Sequence, residues 1–254
     1  MKITRAVVPS LFTTLNIFCG FLSIVHAHQG QISAAAAFIM LAAVFDSLDG
    51  MMARITRSSS QFGVELDSLA DVVSFGAAPS FLVYRASLYQ WENWGLIIAS
   101  LPLVLGAIRL ARFNVQLVGF DKDHFNGLPI PMQAITVAAF LLQYFADATG
   151  LAAWSRDVLP VLVIGLSLLM VSRVKYDTLP KFSKKQLVAH PWKAVSAVVA
   201  ALVVVFSKAT LLFPVLLAFI LFGVLRSALR WLGAWSSRAE HLEDRDEEVS
   251  SIDI

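Results

Sequence analysis

Apolar runs near the length of a bilayer crossing recur through this chain, at about 11–25, 32–53, 64–88, 95–115, 132–148, 158–171, 194–206 and 211–225. In hydrocarbon every backbone N–H and C=O has to be satisfied within the protein, which leaves helix bundles and closed barrels. Several runs approach the ~20 residues a helix needs to span the core, about twice the length of a barrel strand. Composition agrees: 57% of the 254 residues are hydrophobic and only 15% charged, with mean hydropathy +0.71. A soluble domain carries roughly 25% charged residues. The expectation is an all-α, polytopic membrane helix bundle of about eight transmembrane helices. The first run lacks a small-residue cleavage site and reads as a retained span. A single cysteine, Cys19, excludes an internal disulfide.

Charge asymmetry orients the bundle. Lys and Arg gather in the N-terminus (Lys2, Arg5), the 54–62 loop, the 109–122 region, the 172–193 segment and the start of the tail. In an eight-span count these all fall on one side, and the other side holds Arg156 and Lys208, with Arg85 near the end of the third run. The positive-inside rule then places both termini in the cytoplasm (N-in, C-in) of a multi-pass inner-membrane protein. Residues 1–230 form a single membrane-embedded domain. Residues 231–254 form a cytoplasmic tail, acidic and disordered at its end. The basic 172–193 segment suits contact with anionic membrane lipids. Nothing points to nucleic acid.

Into this apolar sequence are set four carboxylates, Asp46, Asp49, Asp67 and Asp71. A charge in hydrocarbon costs several kcal/mol unless it is paired or binds an ion, so such residues default to function. Asp46 and Asp49 are three apart, Asp67 and Asp71 four apart, and on helices each spacing puts both side chains on one face. Asp46 lies ~16 Å from Arg57 at the helical rise, and Asp71 ~12 Å from Gly63, so the two pairs sit at similar depth on the cytoplasmic side. Gly50 and Gly63 would let a helix or a phosphate-bearing ligand come close to the backbone. Oxygen ligands without His or Cys favour Mg²⁺, Mn²⁺ or Ca²⁺ over zinc. Capping of helix ends, or pairing with Arg54 and Arg57, is the bland alternative for one or two of them, and fits four poorly.

The string from Asp46 to Asp71 is D-x2-D-G-x2-A-R-x8-G-x3-D-x3-D. It resembles, at every position, the signature of the CDP-alcohol phosphotransferase family, whose members move a phosphatidyl-type group from a CDP-linked donor to an alcohol and release CMP. The resemblance implies a six-helix family core plus two further helices, a homodimer, and two divalent metal ions held by Asp46, Asp49, Asp67 and Asp71. It implies Asp71 as the base that takes the acceptor proton. It also implies Gly50, Ala53, Arg54 and Gly63 as contacts to the CDP donor. Pro9-x3-Thr13 resembles the family's P-N-x2-T opening, with Ser10 in place of Asn, and adds Thr13 to those contacts.

Four further stretches, 15–24, 106–115, 125–131 and 172–176, are similar to the bacterial, serine-accepting branch of the family. That likeness implies CDP-diacylglycerol as donor and L-serine as acceptor; enzymes with an archaeal-type ether-lipid donor share these stretches. Arg109, Arg112 and Asn114 are the acceptor candidates, because a guanidinium fork suits an amino-acid carboxylate. Both arginines could also serve only as positive-inside charges that reach the interface. Glycerol 3-phosphate or inositol phosphate is the alternative acceptor, though a phosphate would call for a denser basic cluster. A cation-coupled transporter is the alternative of another class, and it would favour broken spans or related halves.

Overall fold

The computed structural model describes residues 7–56, 60–118, 127–172, 174 and 211–250. Helix α1 (Val7–His28) and helix α2 (Ile32–Thr56) form a closely packed antiparallel hairpin. Alanines make the approach possible: Ala27, Ala35, Ala36 and Ala42 are all fully buried. Small residues are what helices use to come together in lipid, where hydrophobic burial offers no gain. The next apolar unit is composite. Helix α3 (Gln61–Asp71) passes into a π-helical turn (Val72–Ala77) and on into α4 (Ala78–Ala86). A short 3₁₀ turn (Leu88–Trp91) leads to α5 (Glu92–Val118), then α6 (Ile130–Tyr144), α7 (Ala153–Val171) and α8 (Leu212–Ser250).

Six of the described helices are long and apolar enough to cross a membrane, and Ile130–Tyr144 is a shorter seventh. The run at 194–206 lies outside the described residues, as does nearly all of the 172–193 segment. A polytopic helix bundle is therefore the observed architecture, and the count of eight cannot be completed within these residues. Two expectations need correction. The fifth apolar run extends to residue 148, but α6 ends at Tyr144 and is followed by a two-stranded hairpin, β1 (Phe145–Ala146) with β2 (Gly150–Leu151). Asp147 at its tip accepts hydrogen bonds from the backbone N–H and the hydroxyl of Ser33, satisfying donors at the start of α2. Trp154, which falls between the fifth and sixth apolar runs and so outside the expected spans, lies in the first turn of α7 with its ring 4.8 Å from that of Tyr144. The tail also differs: the backbone of α8 is helical to Ser250, through the acidic stretch for which disorder is expected. Neither proline nor glycine occurs in it after Gly233.

Polar contacts fix the helices at a few points. Arg85 of α4 donates to the carbonyls of Ala27 and His28 at the end of α1. Pro102 lies inside α5, and the Leu103 N–H beside it donates to Ser80 Oγ at 3.1 Å. The π-turn is clasped to α1, where Ser74 Oγ donates to the Asn16 carbonyl at 2.8 Å. Gly20 makes that clasp possible, because a Cβ there would overlap Ser74 Oγ and lie 2.7 Å from its Cα. At the other end of α5, Arg112 reaches the Val171 carbonyl that closes α7. Gly127 and Leu128 donate backbone N–H groups to Val174 and Leu169. Gly127 has φ +91° and a Cβ there would strike the Met170 carbonyl, so both backbone shape and space require glycine.

We expect Gly20→Val to separate α1 from the π-turn, lowering stability by about 1–3 kcal/mol as overpacking does. A fall in the melting temperature of the detergent-solubilised protein would register this, and an unchanged melting temperature would contradict the contact.

Candidate active site

Local helix geometry sets the first part of the site. Asp46 and Asp49 leave one face of α2 three residues apart, and Asp67 lies on α3 across from them. Carboxylate oxygens of these three residues lie within 4.8 Å of one another. Helix α3 packs on α1, so the carboxyls of α2 and α3 meet beside the hairpin. Ser60 caps the start of α3, accepting the Gly63 N–H at 3.0 Å. A Cβ at Gly63 would lie 3.2 Å from that hydroxyl, so this glycine is tied to the cap.

The hairpin supplies support from below. Thr13 of α1, 4% exposed, hydrogen-bonds the Asp49 carboxylate, and the Gly50 backbone does the same. Asp49 is 6% exposed, and its Oδ2 has no protein partner. Asp67 Oδ1 and Asp71 Oδ1 are likewise buried without a partner. Asp71 stands at hydrogen-bonding distance from Asp46, and Arg109 of α5 is close enough to act on it electrostatically. Three buried carboxylate oxygens left unbonded, on Asp49, Asp67 and Asp71, are hard to account for by protein contacts, since buried acceptors are normally bonded. An all-oxygen donor set of this kind fits a hard divalent cation such as Mg²⁺, Mn²⁺ or Ca²⁺.

A cavity of about 150 Å³ opens on the α5 side. Its polar lining is Asp67, Ser68, Asp71, Arg109 and Asn114, completed by Val64, Leu110 and Phe113. Asp67 and Asp71 thus belong to both the acidic cluster and the cavity. Arg109 faces in with its Nε unpartnered. Among the described residues it is the one cation in the lining.

Of the residues marked out from sequence, the structure brings together the four aspartates, Thr13, Gly50, Arg109 and Asn114. Gly63 lies in the first turn of α3 and Ala53 in the last turn of α2. The Arg54 side chain lies outside the described part. Arg112 does not join them: it is exposed and turns to α7. Ser68 and Asn16 were missed. Ser68 shares the face of Val64, Asp67 and Asp71 at i, i+3, i+4 and i+7 spacing, a period that could have found it. Asn16 is fully buried one turn beyond Thr13, with both amide atoms unpartnered.

Comparison with known proteins is consistent with this chemistry. The family model described as CDP-alcohol phosphatidyltransferase matches residues 6–171. A Helicobacter pylori protein named CDP-diacylglycerol–serine O-phosphatidyltransferase is 37% identical over 180 residues, covering 69% of this chain and 73% of its own. An archaetidylserine synthase of Methanothermobacter thermautotrophicus is 39% identical over 179 residues, covering 69% and 72%. The Bacillus subtilis CDP-diacylglycerol–serine O-phosphatidyltransferase is 32% identical over 185 residues, covering 73% and 98%. Among solved structures, the Mycobacterium tuberculosis phosphatidylinositol phosphate synthase with CDP-DAG bound superimposes with TM-score 0.51. It is 23% identical and covers 67% of this chain and 82% of its own, which speaks for the shared fold.

Asp49→Asn should weaken Mn²⁺ binding to the purified protein by about tenfold or more, since even outer-shell changes at metal sites cost 10- to 100-fold. Electron paramagnetic resonance of free Mn²⁺ reads this directly, with Asp147→Asn at the distant hairpin as the control that stays at the wild-type value.

Proposed function

This chain belongs to the CDP-alcohol phosphatidyltransferase family, and from that membership we propose that it transfers the phosphatidyl group of CDP-diacylglycerol to the hydroxyl of L-serine. The products are phosphatidylserine and CMP. The observation that carries the proposal is the cavity between α3 and α5, with Asp71 and Arg109 lining it beside the acidic cluster. It is near the size of a small amino acid, and it joins an acceptor of protons to a donor suited to a carboxylate.

In the proposed reaction Asp71 takes the proton of the serine hydroxyl, as a base within hydrogen-bond reach of that oxygen would. The freed oxygen forms a bond to the lipid-side phosphorus of the donor, and the bond from that phosphorus to the CMP oxygen breaks. Arg109 holds the serine carboxylate, so the hydroxyl is presented to Asp71 at fixed distance. Thr13 and the Gly50 backbone hold the Asp49 carboxylate in place. Divalent ions, two by family resemblance and Mg²⁺ or Mn²⁺ by donor chemistry, would be held by Asp46, Asp49, Asp67 and Asp71 and would offset charge on the donor diphosphate and leaving CMP. Gly50, Ala53, Arg54 and Gly63 remain the proposed donor contacts. The positive-inside pattern supports a cytoplasmic site in the inner membrane with both termini inside, where serine arrives and CMP departs. A homodimer belongs to the same proposal, on the family resemblance.

Serine is favoured over glycerol 3-phosphate or inositol phosphate because the cavity lining offers one cation, Arg109, among the described residues. The named relatives support serine too, and one of them, an archaetidylserine synthase, keeps an ether-lipid donor open.

The direct test is CMP release by the purified protein with CDP-diacylglycerol, Mn²⁺ or Mg²⁺, and each acceptor in turn. Serine should be the acceptor that drives it, and release only with glycerol 3-phosphate would refute the assignment. Asp71→Asn should lower kcat by about 10²- to 10⁴-fold, the usual worth of a general base. Arg109→Gln should raise the serine KM by about tenfold or more, the loss of one hydrogen bond to a charged group. Arg112→Gln should leave that KM within about twofold, as for a surface substitution.

A further inference from the structure

The cavity has one polar group whose orientation is set by a neighbour and whose use the proposed reaction leaves open. Ser68 sits on α3 between Asp67 and Asp71, and its hydroxyl donates to the Val64 carbonyl one turn back, at 3.1 Å. Asn114 of α5 donates its amide N–H to Ser68 Oγ at 3.0 Å. Ser68 Oγ also approaches Asn114 Oδ1, at 3.5 Å. A hydroxyl has one proton. Once it goes to the nearer Val64 carbonyl, Ser68 shows Asn114 only lone pairs, and the Asn114 NH₂ has to face it. The reverse orientation would set two acceptors against each other. Asn114 Oδ1 is thereby left as an acceptor without a committed donor, on a residue that lines the cavity.

We infer that Asn114 Oδ1 receives an ammonium group of the acceptor, and that Ser68 is the positioning residue that keeps the amide oxygen available for it. The inference rests on the acceptor reading above and sharpens it. Arg109 can only donate, so it cannot take an ammonium. Asp67 is shared with Asp46 and Asp49 in the acidic cluster, and Asp71 faces Asp46 and Arg109. Ser68 Oγ already accepts the Asn114 N–H and gives its proton to Val64. With the aspartates committed, as in the proposed reaction, to cations and to the acceptor hydroxyl, Asn114 Oδ1 is the acceptor in the lining that is left for an N⁺–H bond. A carboxylate at Arg109, a hydroxyl at Asp71 and an ammonium at Asn114 are the three substituents of an α-amino-β-hydroxy acid. The inference therefore makes the cavity selective for the amino group, and not only for an alcohol that carries negative charge.

The test compares the KM for serine with the Ki of 3-hydroxypropionate, which is serine without its ammonium, as a competitor of serine in CMP release. In Asn114→Leu the serine KM should rise about tenfold or more, the scale of a lost charged hydrogen bond, while the 3-hydroxypropionate Ki stays within about twofold. Ser68→Ala should move the serine KM in the same direction, and Ser68→Thr, which keeps the hydroxyl, should return it toward wild type. The KM for CDP-diacylglycerol, read in the same assays, should stay near wild type and report an intact fold. If Asn114→Leu shifts both constants equally, ammonium recognition is overturned. If only Ser68→Ala is silent, the positioning role is overturned. Wild-type protein that releases no CMP with serine would overturn the functional reading and this inference together, whereas release with serine and an unmoved ratio would overturn the inference alone.

Discussion

Carboxyl groups from α2 and α3 face one another in a setting poor in water, and much of the nearby structure can be understood as compensation for that repulsion. Thr13 and the Gly50 backbone each give Asp49 a hydrogen bond. Arg109 brings one positive charge toward Asp71. These contacts still leave Asp49, Asp67 and Asp71 with an unpartnered oxygen each. Like charges at such distance in a low dielectric repel by more than a single guanidinium offsets. The site is therefore incomplete as protein alone, which is the condition a cation or a substrate-bound cation relieves. Stability and function are coupled here: the groups that strain the protein by itself are the groups the chemistry requires.

How much of this was readable from sequence depends on how far apart the partners are along the chain. The pairing of Asp46 with Asp49 and of Asp67 with Asp71 is local helix geometry, and it was legible from spacing. That the pairs converge was legible from matched depth, because both lie next to one short loop. Arg109 and Arg112 show the limit. Three residues apart on α5, they share a face by the same rule, yet one enters the cavity and the other reaches the end of α7. A long side chain near a helix end chooses among distant carbonyls, and nothing within α5 itself specifies that choice. The short α6 was hidden by composition, since Phe145, Ala146 and Ala148 extend its apolar run. Its end is set by the hairpin and by the donors of α2 that Asp147 satisfies, a contact 114 residues away in sequence.

Fold and acceptor are separate questions in this architecture. The superposition on a phosphatidylinositol phosphate synthase reports a shared frame, and a shared frame does not carry a shared substrate. The two halves of the site divide accordingly. The acidic cluster is built by the α1–α2 hairpin and α3, around groups that would bear on the donor and its metal ions. The cavity is built between α3 and α5, where single residues such as Ser68 and Asn114 can alter which alcohol fits. Changing the cavity wall on α5 leaves the hairpin that carries Asp46 and Asp49 untouched.

The π-turn after Asp71 has a consequence for register. A π-turn carries one residue more than the α-helical repeat, and such insertions cluster at functional sites. One extra residue rotates the downstream helix by about 100°, the step of an α-helix. Residues before the turn, Asp67 and Asp71, can then face the acidic cluster, while Ala78, Leu82 and Val83 after it are fully buried in the core. The turn works as a phase adapter between two halves of one membrane-crossing unit. Side-chain direction on the chemical half is set without forcing the packing half to follow it. Losing a single residue between 72 and 77 would bring the two halves back into phase and set the direction of Asp71 against the packing of Leu82 and Val83.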